Sequence, residues 1–210
     1  MDTPPELITL DRVAALRCFN GEADLPELFR VIDEAQEHLR PWMPWIADHS
    51  LEATRDFLLH RSERWHQGTA FTYAIVIDGG AIAGTCQLFR SSDQPGVMGI
   101  GYWLHPAATG RGLATRAGGV LVREAFLLPG IEIVEIVHDP ANRASGAVPA
   151  RLGFTACARR PAERLAPGET GEEQVWQLTR RQAAARSGEA SEAEATPAPG
   201  NRVHLPLHDA

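Results

Sequence analysis

The run Gly101-Tyr-Trp-Leu-His-Pro-Ala-Ala-Thr-Gly-Arg-Gly-Leu-Ala-Thr-Arg-Ala117 holds the residues whose types and spacing could do chemistry. It reads as a strand, a glycine-punctuated turn and the start of a helix. Glycines at 110 and 112 let main-chain N–H groups converge without interference from a Cβ. The opening helical turn adds unpaired donors and the positive end of a dipole, so the bend predicts a pyrophosphate cradle. The anion could belong to a nucleotide, a dinucleotide or coenzyme A. All 20 basic residues are arginine, which excludes a Walker A loop and a Schiff-base mechanism, since both need a lysine. The spacing is not GxGxxG either, so the diphosphate of coenzyme A becomes the leading candidate.

The elements that must position this bend follow from periodicity. Residues 13–19 read as a first strand. Residues 25–39 read as a helix with Leu28, Val31, Ile32, Ala35 and Leu39 at helical spacing, ending at Arg40-Pro41. After a Pro-Trp-Met-Pro-Trp segment, Ser50 can cap a second helix running through Trp65. Residues 71–77 and 81–89 form a hairpin about Asp78-Gly79-Gly80, a tight turn that needs positive φ. A strand over 97–104 leads into the cradle and a helix from about 112 to 128. A buried strand over 131–137, a short helical piece over 143–152, and strands over 154–158 and 174–179 complete the order. The expectation is an α/β mixed sheet with helices on both faces and without Rossmann alternation.

With 210 residues the chain suits one domain with its own core. The domain is expected over 1–181. Residues 182–210, rich in Glu, Ala, Pro, Gly and Ser, are expected to be a disordered tail. His204 and His208 in that tail sit at helical metal spacing, but Pro206 between them forbids a regular helix. Cys18, Cys86 and Cys157 are odd in number and far apart, which suggests neither disulfides nor a zinc site; no metal is expected. An acidic amino terminus and the lack of a long apolar run predict a cytoplasmic protein without a membrane span. A net charge of −7 argues against a nucleic-acid partner.

Four stretches carry a family resemblance. They are Tyr-Trp-Leu-x-Pro, then x-Gly-Arg-Gly-Leu-Ala-Thr, then Asp139-Pro-Ala-Asn142-Arg-Ala-Ser145, then Leu152-Gly153-Phe154. In this order and on these elements they resemble the successive motifs of the GNAT N-acetyltransferase superfamily. The branch containing the ribosomal-protein N-terminal acetyltransferases is the most similar, with its early Leu39-Arg-Pro-Trp-Met-Pro-Trp45-like segment. The resemblance implies the GNAT fold with a central, mostly antiparallel sheet, and acetyl-CoA as co-substrate attacked directly by an acceptor amine, without metal or covalent enzyme intermediate. It implies that the backbones of Trp103 and Leu104 bind the pantetheine arm, and that the amides over Thr109, Gly110, Arg111, Gly112, Leu113, Ala114 and Thr115 hold the diphosphate. Asn142 would hydrogen-bond the cofactor, Ser145 would protonate the departing thiolate, and an N–H around Leu104 would polarise the carbonyl. A homodimer is common among similar proteins.

The chain departs from the family pattern at four places. Thr109 stands where Gln or Arg is usual, and Arg116 where a glutamate is common, the latter adding favourable charge near phosphate. Pro149 lacks an N–H and its ring opposes the Ser145 carbonyl, so the 143–152 helix is expected to be kinked or late-starting. Met98-Gly99-Ile100 lacks the glutamate that deprotonates the amine in many relatives. An α-amine, with a pKa of about 7.7 to 8, demands less of a base than a lysine near 10.4, which favours a peptide N-terminus or another weakly basic amine. His138 is the base to test first.

Plainer roles stand beside these. Asn142 could simply cap the helix, and Ser145 could be an ordinary first-turn residue. Trp42 and Trp45 suit core aromatics or the wall of an acceptor pocket equally. His105 reads as structural, and Glu163, Glu169, Glu172 and Glu173 as a solvated loop or a lure for a cation. Modification of an antibiotic or polyamine would share every cofactor residue, and the missing glutamate and Pro149 make a non-catalytic acyl-CoA-binding or sensing module a further alternative.

Overall fold

The computed structural model describes residues 3–186. An eight-stranded sheet has the order β1-β2-β3-β4-β5-β6-β8-β7. The strands are β1 Leu7–Thr9, β2 Ala14–Cys18, β3 Ala70–Ile77, β4 Ala81–Arg90, β5 Val97–Leu104, β6 Ile133–His138, β7 Thr155–Pro161 and β8 Glu172–Thr179. Every neighbouring pair is antiparallel except β5 with β6. The mixed, mostly antiparallel sheet expected from the sequence is therefore present.

Helices α1 (Leu25–Glu34), α2 (Gln36–Leu39) and α3 (Leu51–His66) precede the central hairpin; α4 (Leu113–Leu127) and α5 (Arg143–Leu152) follow it. Strand alternation sends Tyr73, Ile75, Leu88 and Met98 to one face, where they pack with Ala117, Leu121 and Ala125 of α4. Ala74, Val76 and Ile82 point to the other face, under Leu28, Val31 and Ile32 of α1 and Leu58 of α3. Each face thus buries one helical layer, as an apolar two-sided sheet requires.

Several local signals act as expected. The Ser50 side chain accepts from the Ala53 N–H and starts α3, and Asp78 with Gly79 and Gly80 adopts positive φ in the hairpin turn. Three expectations are corrected. The helix expected over 25–39 breaks at Ala35, whose φ of −97° and ψ of 1° leave the helical region. A further edge strand, β1, precedes the expected first one. The chain after β8 is helical over 180–186, so the residues from 182 to 186 are folded and not tail. There Arg180 donates to the carbonyls of Phe126 and Ile131, tying the segment to the end of α4. Residues 187–210, with His204 and His208, lie outside the described residues.

α5 runs without interruption from Arg143 to Leu152, against the expected kink. A proline at 149 deprives the Ser145 carbonyl of its helical donor. The Tyr102 hydroxyl, from β5, takes that donor's place at 3.0 Å. The helix stays regular because its orphaned acceptor is satisfied from outside.

Candidate active site

The only parallel ladder in the described sheet is short. β5 and β6 pair from Val97 with Ile133 to Gly99 with Glu135, and no further. Beyond that point β5 continues to Leu104 alongside β4, and β6 continues to His138 alongside β8. The two strands therefore splay and leave a wedge between them. The ladder to β4 runs on until the His105 N–H donates to the Ala83 carbonyl. Because hydrogen-bonding groups alternate sides along an antiparallel strand, the main-chain groups of Gly101 and Trp103 face β4. Those of Tyr102 and Leu104 face the wedge.

Past the wedge comes the glycine bend. Gly110 and Gly112 both have φ of +72°, a region that favours glycine strongly. Gly112 precedes α4 without a side-chain cap, and no acidic residue occupies the first turn. Among the described residues, the amides from Gly110 to Thr115 donate to no protein acceptor; the first ladder bond of the helix is from Arg116 N–H to the Gly112 carbonyl. A set of unpaired donors at a helix start is an anion site. Thr109 is not part of that set, since its N–H and hydroxyl both donate to the Pro106 carbonyl. Arg116 folds back: Nη1 donates to the Arg111 carbonyl at 2.9 Å, and Nη2 lies 3.2 Å from Asp11. Its charge braces the bend, with Asp11 as counter-ion, instead of standing free for phosphate.

A groove of about 720 Å³ joins this bend to the wedge, lined by Trp42, Tyr102, Trp103, Leu104, Asn142, Ser145 and the residues of the bend. Asn142 performs the plainer of the two tasks considered for it. Its Oδ1 accepts from the Ser145 N–H at 3.0 Å and caps α5, which leaves the side-chain NH₂ as a donor on the groove lining. The Ser145 hydroxyl lies 3.3 Å from that of Tyr102. Burial pushes the Tyr102 phenol up to about 12, against the lesser opposing pull of its hydrogen bond with Ser145, so it stays protonated across ordinary pH. Tyr102 opens the Tyr-Trp-Leu-x-Pro motif, whose resemblance implies no role for it. Its function as partner to Ser145 depends on a contact between residues remote in sequence.

His138 lines a second cavity of about 290 Å³ beside the groove. Its ring is held at both nitrogens: Nδ1 lies 2.7 Å from the Asp139 carbonyl and Nε2 lies 2.9 Å from Trp176 Nε1. A carbonyl only accepts and an indole N–H only donates, so Nδ1 carries the proton and Nε2 is the acceptor. No free lone pair remains to take a proton from an amine. Gly146 makes this packing possible, since a Cβ there would lie 2.7 Å from the imidazole.

The second cavity is also walled by Trp42, Glu163, Glu169, Glu172 and Glu173. The loop that carries these carboxylates is fixed at two points. Gly168 N–H donates to the Pro41 carbonyl, and the Thr170 N–H and hydroxyl both donate to Asp139 Oδ2. Burial raises the Asp139 pKa, but these bonds and the Ala141 N–H outweigh it and hold the carboxyl below its ordinary value. Glu173 pairs with Arg160, and Glu169 accepts from the amides of Leu165 and Ala166. Trp45 does not share this cavity with Trp42. It lies 6.1 Å from Trp103 on the other side of Met43, in a third cavity beneath α3. Among the described residues, no cluster could hold a metal ion, and no helix is long and apolar enough to cross a membrane.

Comparison with known proteins matches this architecture to one domain family. The model described as "Acetyltransferase (GNAT) domain" matches residues 15–155. No curated protein matches. Among solved structures, the chain is similar to RimL, a ribosomal L7/L12 alpha-N-protein acetyltransferase in complex with coenzyme A, at 22% identity and a TM-score of 0.76, covering 85% of this chain and 99% of that one. It is similar to Mycobacterium smegmatis RimJ in complex with CoA-disulfide at 24% identity and a TM-score of 0.75, covering 90% and 95%. It is also similar to the microcin C7 self-immunity acetyltransferase MccE in complex with acetyl-CoA and AMP, at 20% identity and a TM-score of 0.76, covering 84% and 97%. At these identities the likeness is one of fold.

Proposed function

The chain belongs to the acetyltransferase (GNAT) family and is an acetyl-CoA-dependent N-acetyltransferase, and from that premise we propose that its acceptor is a weakly basic amine, in the first place the α-amine of a peptide or protein N-terminus. The observation that carries the reading is the row of partnerless amides from Gly110 to Thr115, continuous with the groove where Ser145 and Leu104 meet. These amides would hold the diphosphate, and the Asn142 amide would bind the arm between.

The Leu104 N–H, turned into the wedge, would receive the thioester oxygen as negative charge builds on it. The amine nitrogen forms its bond to the acetyl carbon while the carbon–sulfur bond breaks. Ser145 would give its hydroxyl proton to the leaving sulfur, and the single Tyr102 O–H would turn from the Ser145 carbonyl to the oxygen left behind. The surplus amine proton passes through water and restores the Ser145 hydroxyl, because His138 offers no lone pair. That demand suits an α-amine, part of which is neutral near pH 7. Glu163 and Glu172, exposed at the mouth of the second cavity, would gather a cationic acceptor towards this point. The likeness to RimL and RimJ folds also favours a peptide N-terminus. The free thiols of Cys18, Cys86 and Cys157 suit the cytosol as its compartment.

The test is a thiol-release screen over peptide N-termini, polyamines and aminoglycosides. Turnover confined to peptide α-amines is expected. A strong preference for polyamines or lysine side chains would contradict the acceptor assignment.

A further inference from the structure

The third cavity lies between α3 and the sheet, outside the groove assigned to acetyl-CoA. It measures about 400 Å³ and has Met43, Trp45, Phe57 and Trp103 among its walls. Three buried polar atoms on its lining, His49 Nε2, Arg61 Nε and Thr72 Oγ1, have no hydrogen-bond partner among the described residues. Thr72 is only 3% exposed and the His49 side chain only 5%. Buried polar groups are normally satisfied, so three orphans around one cavity point to a guest that satisfies them.

The charge of that guest follows from Arg61. Its Nη1 donates to Gln87 Oε1 at 3.0 Å, and its guanidinium stacks 4.7 Å above the Phe57 ring. No carboxylate pairs with it among the described residues, and the charge that acts on it is the like charge of Arg64. An arginine stays protonated even when burial opposes it, and its planar fork matches a carboxylate. Thr72 and His49 can each add a donor. Asp33, at 4.0 Å from His49 Nε2, is too far to hydrogen-bond it.

The cavity also communicates with the reaction centre. Met43 and Tyr102 line it together with the coenzyme groove and the acidic cavity, so all three meet at these two residues. We propose that this cavity is the acceptor's second recognition pocket and takes a carboxylate of the acceptor, held by Arg61 with Thr72 and His49, while the amine passes Tyr102 to the thioester. The inference rests on the acetyltransferase reading. The carboxylate has two sources of the same chemistry, the side chain of an acidic residue at a peptide N-terminus or the α-carboxylate of a free amino acid.

Two matched pairs of acceptors separate them: the amidated tripeptides Glu-Ala-Ala and Gln-Ala-Ala, and phenylalanine with phenylalaninamide. The expected result is at least a tenfold higher kcat/KM for the carboxylate member of one pair. The first pair identifies a side-chain source, the second a free amino acid. In Arg61→Gln that ratio should collapse towards one, through KM more than kcat. Should the variant fail to fold, the pairs on the wild-type protein still decide. Equal kcat/KM within both pairs overturns the proposal while leaving the acetyltransferase reading intact. If none of the four is turned over, calorimetric titration of the coenzyme A-loaded protein decides: tighter binding of a carboxylate member supports it, and equal or undetectable binding overturns it. Loss of coenzyme A binding itself, visible before any acceptor is added, overturns both.

Discussion

The Tyr102 hydroxyl donates to the Ser145 carbonyl at 3.0 Å, the acceptor that Pro149 leaves unpaired within α5. A strand residue thereby completes a helix, and the same hydroxyl stands beside the Ser145 side chain on the groove wall. Structure and chemistry share one phenol.

Tyr102→Phe should therefore cost stability, by about 1 kcal/mol for the lost hydrogen bond to a half-buried carbonyl, together with activity. Pro149→Ala restores a helical N–H to the same carbonyl. In a double-mutant cycle by chemical denaturation, the pair should be less destabilised than the sum of the two single changes. Strict additivity would show that Tyr102 does not substitute for the missing helical donor.

Ser145→Ala removes the proposed acid without disturbing the cap, since Asn142 bonds the main chain of residue 145. The turnover number should fall by roughly a hundredfold. Coenzyme A affinity should stay within about twofold, measured by calorimetry. A wild-type turnover number would remove Ser145 from the chemistry.

His138→Gln keeps a polar side chain in place of an imidazole whose nitrogens are both engaged. kcat/KM should drop less than about tenfold, and the shape of its pH profile should persist, because removing a base would cost more. Loss of the acidic limb of that profile would restore His138 as the base.

The two tyrosines give a pH prediction of defined sign. Burial raises Tyr102 to about 12 and drives Tyr73 upward as well, from an ordinary value near 10. Between about pH 10 and 12 the unfolded chain releases these protons while the native chain keeps them. Their contribution to stability is whole below pH 10 and is lost as pH climbs towards 12. Phenolate absorbance of the folded protein should stay flat through about pH 10 and rise only with unfolding. A rise near pH 10 with the fold intact would contradict this burial.

What the sequence made legible was local. Ser50 before α3, the Asp78-Gly79-Gly80 turn and the Gly110/Gly112 bend each declare themselves within a few residues. The kink expected at Pro149 is absent because the compensating donor belongs to β5, which no pattern near residue 149 could reveal. For the same reason His138 looked available as a base: Trp176, which occupies its Nε2, lies on β8. Trp42 and Trp45 look like one wall in sequence, yet Met43 divides them between cavities. β1 escaped notice because three residues are too few to show alternation. The convergence of His49, Arg61 and Thr72 has no sequence signature, since it exists only once α3 lies on the sheet.

If the amides from Gly110 to Thr115 grip a diphosphate, calorimetric titration of coenzyme A into the wild-type protein and Gly112→Asp will reveal it. Two like charges about 4 Å apart at an effective dielectric near 20 repel by about 4 kcal/mol. Arg116, whose Nη1 lies 3.2 Å from the added Cβ, will screen part of that. Measurable binding by the wild type and at least about thirtyfold weaker binding by a folded Gly112→Asp are expected, equivalent to ~2 kcal/mol. Equal affinities, or no binding by the wild-type protein, would contradict it.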